Sequence, residues 1–250
     1  MKLMNFEVFR EIFRDRIKGK AMPRGRHNGA LGHWIEDVFD VPPNSAPEAD
    51  LHGFEIKSGG QKGSFGDWMG DWYIWYDDNS EISSRNDFIK TFGTKKRPDK
   101  PDRFSWTGVD FGKIVSDRFS ECGQKMSIDS NDGINIHYNF MHDKRLNKNS
   151  IIPEKLRTGD VLIARYSREK MANFVNRKFG QKGWVLFSLR KRAIDALYLG
   201  KPFYFEDWIE WVRSGEIELD SGMNTDTSRN RSKFRAKKSW WYSQAFEIVQ

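Results

Sequence analysis

The sequence predicts a mixed α/β fold. Three observations carry that expectation. Phe6, Phe9, Phe13 and Ile17 recur at helical spacing with arginines on the other side, so the chain opens on an amphipathic helix. "KMSIDSNDGINIHYNF" alternates on both sides of Asn131-Asp132-Gly133, the pattern of a β-hairpin. "GDVLIARY" and "GWVLFSLR" are apolar runs of strand length, separated by the helix-like "REKMANFVNRKFG". Strands and helices are therefore mixed along the chain.

The remaining elements follow in order. "KGKAMPRGRHNG" is a Gly-rich basic loop. Leu31, Ile35, Val38 and Phe39 mark a second helix, which Pro42-Pro43 stops. "EADLHGFEIKSGG", residues 48–60, reads as two very short strands joined at His52-Gly53. "SFGDWMGDWYIWYDD" is aromatic and ends in a strand near Trp72 to Tyr76, and "TFGTKKRPDKPDRFSWTG" is a basic loop containing prolines. "KRAIDALYLG" and "FEDWIEWVRSGE" read as helices, and the tail alternates from Ser228 to Lys237.

Composition narrows the function classes. A chain of 250 residues can bury a sizeable core, in one large domain or two small ones. The single Cys122 rules out an internal disulfide framework and a cysteine-based zinc cluster, and it fits a reducing compartment. No run of 18 apolar residues exists to span a membrane, and the charged N-terminus is not that of a signal peptide. A net charge of +7 favours a polyanionic partner.

The acidic stretch poses a physical question. With His52-Gly53 as the two-residue loop, Leu51 pairs with Phe54 and Asp50 with Glu55. Alternation then sends Leu51, Phe54 and Ile56 toward a core and Asp50, Glu55 and Lys57 to the other face. Like charges directly opposite destabilise a sheet. Paired Cβ atoms lie ~5 Å apart, which lets both carboxylates reach one divalent cation. Mg²⁺ prefers such oxygen ligands and is often held by one or two carboxylates plus a phosphate. Lys57 is placed to position or help deprotonate a water, or to stabilise charge developing on phosphorus. Upstream, "GALGHWIEDVF" puts Gly29, Gly32 and Glu36 on one helix face, apart from the apolar stripe. Glu36 is a third acid for the metal, a partner for Lys57, or an ordinary surface glutamate.

These residues carry a resemblance. Asp50, four residues, then Glu55-Ile56-Lys57 resembles the core of the PD-(D/E)XK nucleases. The helix in "GALGHWIED" resembles the acid-bearing helix of their MutH-like branch. Chain length and "APEADLHGFEIKSGG" are most similar to the MvaI/BcnI group of type II restriction endonucleases. The resemblance implies a restriction-endonuclease-like core, a mixed sheet flanked by helices, clamp-shaped around DNA. It implies one nuclease chain, residues 1–250, with a catalytic lobe (roughly 1–120 plus part of the remainder) and a recognition lobe (roughly 121–250). Asp50 and Glu55 become ligands of one or two Mg²⁺ ions, with Mn²⁺ as a substitute, Lys57 the catalytic lysine and Glu36 the upstream acid. The implied substrate is double-stranded DNA, cut one strand at a time at short CCNGG-type sites, CC(A/T)GG in one variant. The implied enzyme is a monomer in the bacterial cytoplasm that needs no partner protein, with a cognate DNA methyltransferase in the host. Two features depart from the pattern: Pro47 lies three residues before Asp50, and the hairpin is shorter than in MutH.

The basic segments fit a DNA substrate. "SRNRSKFRAKKSWW" holds Arg229, Arg231, Lys233, Arg235, Lys237 and Lys238 with no acid among them. In an extended strand, Arg231, Lys233, Arg235 and Lys237 line one face at ~6.7 Å intervals, twice the strand rise. Arg24, Arg26 and Lys62 flank the acidic stretch and are candidates for phosphate contacts. Lys95, Lys96, Arg97, Lys100 and Arg103 form a second basic segment, diluted by Asp99 and Asp102. Two other readings share these features: a MutH-like repair nickase, and a nucleic-acid-binding protein without catalysis.

Overall fold

The computed structural model describes residues 5–21, 30–39, 49–51, 53–58, 62–95, 97–107, 112–114, 118–191, 193–230 and 232–250. Helix α1 (Phe6–Ile12) runs into a wider π-helical turn, Phe13–Ile17, and α2 (Ala30–Val38) follows. Then come strands β1 (Phe54–Ser58), β2 (Lys62–Trp68) and β3 (Trp72–Tyr73), helix α3 (Arg85–Phe92) and strand β4 (Ser105–Trp106). The middle of the chain forms β5 (Cys122–Ile128), β6 (Ile134–Asp143), the short α4 (Lys148–Ile151), β7 (Asp160–Tyr166) and α5 (Arg168–Phe179). The last part forms β8 (Gly183–Arg190), β9 (Ala193–Gly200), α6 (Phe205–Arg213), β10 (Ile217–Asp220) and β11 (Met223–Asn224). Strand β12 (Ser232–Lys237), α7 (Lys238–Ser243) and β13 (Ala245–Val249) close the chain.

The chain divides into two compact units. One comprises residues 1–63, 172–208 and 236–250, the other residues 64–171 and 209–235. The units interleave along the sequence. Sheet pairing is the reason: β1 near the N-terminus finds its neighbours in β8, β9 and β13.

The first unit is built on the sheet β1-β8-β9-β13, in which β1 and β8 are parallel and the other pairs antiparallel. Phe9, Phe13 and Ile17 pack with Ile35 and Phe39 against Leu51, Phe54, Ile56, Val185 and Phe187. This is the apolar face that the period-two pattern of residues 51–56 requires. Asn5 caps α1 by accepting the Val8 N–H at 3.0 Å. Arg10 on that helix grips Glu247 of β13 through two hydrogen bonds, at 2.8 and 2.5 Å.

One expected helix is a strand. "KRAIDALYLG" contains β9, paired antiparallel along β8. Ile194, Leu197 and Tyr198 lie at helical spacing, but the pairing shifts register between Ser188 and Leu189, and this breaks the alternation a strand would otherwise display. The Trp72 to Tyr76 strand is shorter than expected: Ile74–Tyr76 coil into a 3₁₀ turn. Strands β2, β4, β10, β11 and β13 and helices α3, α4 and α7 are additional to the elements read from sequence.

The second unit holds the antiparallel sheet β3-β7-β6-β5 and the sheet β10-β12-β2. Its core is aromatic: Phe88 packs edge-on against Tyr73, Trp75 and Trp106, and Tyr166 against Tyr73 and Phe234. Within it Asp143 is fully buried and accepts from Arg145 Nη2 at 2.6 Å and Tyr138 Oη at 2.9 Å. Burial alone would raise the Asp143 pKa, but the Arg145 and Tyr138 hydrogen bonds outweigh it and hold the carboxyl below its ordinary value. Asp143→Asn is expected to cost about 3 kcal/mol at neutral pH, because it leaves a buried guanidinium without its counter-charge. A depressed carboxyl pKa stabilises the fold above the unfolded value, and the benefit disappears as pH falls through the folded one. Urea unfolding of both proteins at pH 7 and pH 3 checks this: the gap should shrink at the lower pH.

Candidate active site

The acidic stretch folds around its predicted turn. Leu51 and Phe54 exchange main-chain hydrogen bonds, Leu51 N–H to Phe54 at 3.0 Å and Phe54 N–H to Leu51 at 2.9 Å. Gly53 has φ +94°, a value glycine adopts without a steric penalty. The ladder ends after this single bridge. Asp50 sits in a bend, and its carboxylate accepts the Ile56 N–H at 3.0 Å. Asp50 and Glu55 are thus neighbours through a side chain folded back onto the strand, not partners in a two-strand ladder. The main-chain partner of β1 is β8, with Glu55 beside Trp184 and Lys57 beside Leu186.

Glu55 is almost completely buried, with 1% of its surface exposed. Its Oε1 accepts from two ammonium groups, Lys57 Nζ at 2.6 Å and Lys178 Nζ at 2.7 Å. Among the described residues its Oε2 is buried without a hydrogen-bond partner. Burial, reinforced by the charge of Glu55, pushes the Asp50 carboxyl up to about 6, although Lys178, Lys57 and the Ile56 N–H pull the other way. Burial also depresses the Lys57 pKa despite the pull of Glu55. At Lys178 burial acts in the same sense, but Glu55 and Asp50 reverse it and the pKa ends above its ordinary value.

Two carboxylates crowded together, one with its pKa raised by burial and by its neighbour's charge, the other with a buried oxygen that finds no hydrogen-bond partner among the described residues, fit a cation that accepts oxygen ligands. Asp50 and Glu55 are the residues that could hold it. Among the described residues no group of three His, Cys, Asp or Glu side chains converges on a metal position. Glu36 lies in α2, and its side chain is outside the described residues.

Lys178 was missed from sequence. It sits in the last turn of α5, 123 residues from Glu55, and nothing in "NRKFG" separates it from a solvated helix end. The only signal was indirect, an expected helix running up to the strand that β1 needs as its parallel neighbour.

The basic residues are distributed as follows. In β12, Ser232, Phe234 and Ala236 are buried while Lys233, Arg235 and Lys237 point away from the core, as the alternation predicts. Arg235 is paired with Asp220 of β10 at 2.9 Å. Just ahead of the strand the Arg229 carbonyl accepts from Arg85 at 2.6 Å, and at its first residue Ser232 Oγ accepts from the buried Tyr166 hydroxyl at 2.7 Å. Lys238 lies over the Tyr242 ring at 5.1 Å, and Lys62 is exposed at the start of β2. In the other segment, Arg97 is bound by Asp99, Lys100 pairs with Asp226 at 2.9 Å, and Lys95 lies over the Phe104 ring. Arg24, Arg26, Lys96 and Arg231 lie outside the described residues.

A mixed sheet whose first strand carries Glu-x-Lys beside a folded-back aspartate fits the restriction-endonuclease-like core that the sequence resembles. Sequence comparison agrees: the chain belongs to the LlaMI restriction endonuclease family, whose model matches residues 16–246. The type II restriction enzyme ScrFI of Lactococcus lactis subsp. cremoris is 34% identical over 264 residues, covering 96% of each chain. The solved complex of restriction endonuclease MvaI with its cognate DNA substrate superposes with a TM-score of 0.61 at 12% identity, over 97% of this chain and 96% of that one. At that identity the likeness is one of fold. The protein is therefore a site-specific deoxyribonuclease of the type II class, which sets aside the repair nickase and the non-catalytic DNA binder.

Proposed function

We propose that the enzyme hydrolyses phosphodiester bonds of double-stranded DNA with Mg²⁺ at a CCNGG-type site, one strand at a time, as a monomer. The observation that supports the chemistry is the bare, buried Oε2 of Glu55 beside the raised carboxyl of Asp50. CC(A/T)GG is the variant implied by the likeness to the MvaI group. Mn²⁺ substitutes for Mg²⁺, with one or two ions per site. Cleavage needs no partner protein, and a cognate methyltransferase protects the host DNA in the bacterial cytoplasm.

In this reading Asp50 and Glu55 hold the metal, which when bound polarises a phosphoryl oxygen and lowers the pKa of a water. The protein does the rest. The Ile56 N–H fixes the Asp50 carboxylate. Lys178 engages Glu55 Oε1, leaving Lys57 able to turn its ammonium from Glu55 toward the scissile phosphate. There its charge opposes that developing on phosphorus, in a setting where burial makes the interaction strong. Glu36, at the upstream helix, joins the set as a further acid. The first unit carries cleavage. In the second unit Arg229, Arg231, Lys233 and Arg235 meet DNA, assisted by Lys95, Lys96 and Arg97. Lys237, Lys238, Arg24, Arg26 and Lys62 add phosphate contacts from the first.

The test is cleavage of one plasmid of known sequence by purified protein with Mg²⁺, followed by mapping of the ends. Discrete fragments ending within CCNGG sites are expected, with nicked circles appearing before linear DNA. Cutting at unrelated sites would overturn the specificity, and linear DNA without a nicked intermediate would overturn strand-at-a-time cleavage.

A further inference from the structure

Lys57 has neighbours that the mechanism above leaves unused. Its ammonium lies 5.2 Å from the centre of the Phe179 ring and 5.9 Å from that of Trp241. Phe179 follows Lys178 in α5, so one helix end supplies both the ammonium that engages Glu55 and a ring under Lys57. Trp241 comes from α7, in the "KKSWW" segment whose tryptophans the sequence reading left without a role. The two rings pack on one another at 6.2 Å, and Trp184 braces Trp241 edge-on at 5.1 Å. Gly63 at the start of β2 leaves room for this: a Cβ there would collide with Trp241 Nε1.

We infer that Trp241, with Phe179, is a positioning residue for Lys57, holding the ammonium where it can pass from Glu55 Oε1 to the substrate phosphate. This rests on Lys57 being the catalytic lysine. The physical case is that a lysine on four rotatable carbons loses its aim unless something fixes the stem. Aromatic faces attract an ammonium most strongly where water is excluded, and Lys57 is 8% exposed. They also give it no second hydrogen-bond acceptor, so the nitrogen keeps its capacity to donate to an incoming phosphate.

Two readouts test the inference. The first uses metal-free, DNA-free protein labelled with ¹³C-lysine, the Lys57 signal being identified by its absence in Lys57→Met. Ring currents should place its terminal methylene protons upfield of the other lysines, and Trp241→Leu should return them toward the common position. The second is steady-state cleavage: Trp241→Leu should lower kcat about tenfold, with KM for plasmid changed less than about twofold. Trp241→Phe keeps a ring and should retain part of both the shift and the rate. A folded Trp241→Leu protein with wild-type kcat would overturn the inference, as would an unshifted Lys57 signal in the wild type. If Trp241→Leu does not fold, Trp241→Phe decides: a reduced shift with a lower kcat supports positioning, and unchanged values overturn it. Undiminished cleavage by Lys57→Met would instead sink the assignment of Lys57 itself.

Discussion

Lys57→Met is expected to lower the cleavage rate by about 10³-fold, the upper end of what removing one charge-stabilising donor costs. Methionine keeps most of the stem volume, so the site should not collapse. The loss should be confined to chemistry. Binding of a cognate duplex, measured with Ca²⁺ in place of Mg²⁺, should change by less than about threefold, because a group acting only in the transition state contributes to kcat and not to ground-state affinity. Global stability should fall by no more than about 2 kcal/mol, since Glu55 Oε1 loses one of its two counter-charges but keeps its bond to Lys178. A parallel loss of DNA affinity would mean that Lys57 is a phosphate anchor. Normal cleavage would remove it from the active site.

What the sequence revealed about this site, and what it concealed, divides along a physical line. The face assignment of Leu51 and of residues 54–57 was legible because strand alternation is local: once Leu51 bridges Phe54, Phe54 and Ile56 must oppose Glu55 and Lys57. The turn was legible for the same reason. The ladder beyond it was not, because a carboxylate that captures the Ile56 N–H competes with the main chain, and composition does not decide that contest. Lys178 and Trp241 were illegible because their significance lies only in which strand they meet. Sequence pattern predicted α5 as a helix, but the pairing of β1 with β8 is what brings its last turn over Glu55. The misreading of β9 has the same origin, since its pairing with β8 overrides a spacing that suits a helix equally well. In β12 the alternation predicted which side chains leave the core, while the carboxylate of Asp220 that binds Arg235 belongs to another strand.

The second large effect concerns Lys178. Together, Asp50, Glu55, Lys57 and Lys178 make two negative and two positive groups around one buried oxygen. Lys178→Met leaves the negative charge in excess. Breaking a buried pair costs about 3–5 kcal/mol, but Lys57 still serves Glu55, so a loss of about 2 kcal/mol is expected in metal-free protein at pH 7. The deficit should depend on pH. Asp50 already titrates near 6, above the ordinary carboxylate value, and Lys178 is one of the groups holding it down. Without Lys178 the folded pKa rises further. A raised carboxyl pKa costs stability once pH exceeds the folded value, and the cost vanishes below the unfolded one, about 4. Wild type and variant should therefore converge as pH falls from 7 toward 4. A divalent cation should also narrow the gap at pH 7, because it binds the folded carboxylates and supplies the missing positive charge. Cleavage should nonetheless stay about 10²-fold low, since Lys57 must now remain with Glu55 instead of turning to the phosphate. Thermal unfolding in EDTA and in Ca²⁺ across this pH range, set beside cleavage rates in Mg²⁺, separates the two roles. Full activity with reduced stability would make Lys178 a structural counter-ion only, and unchanged stability with lost activity would deny that it neutralises Glu55 at all.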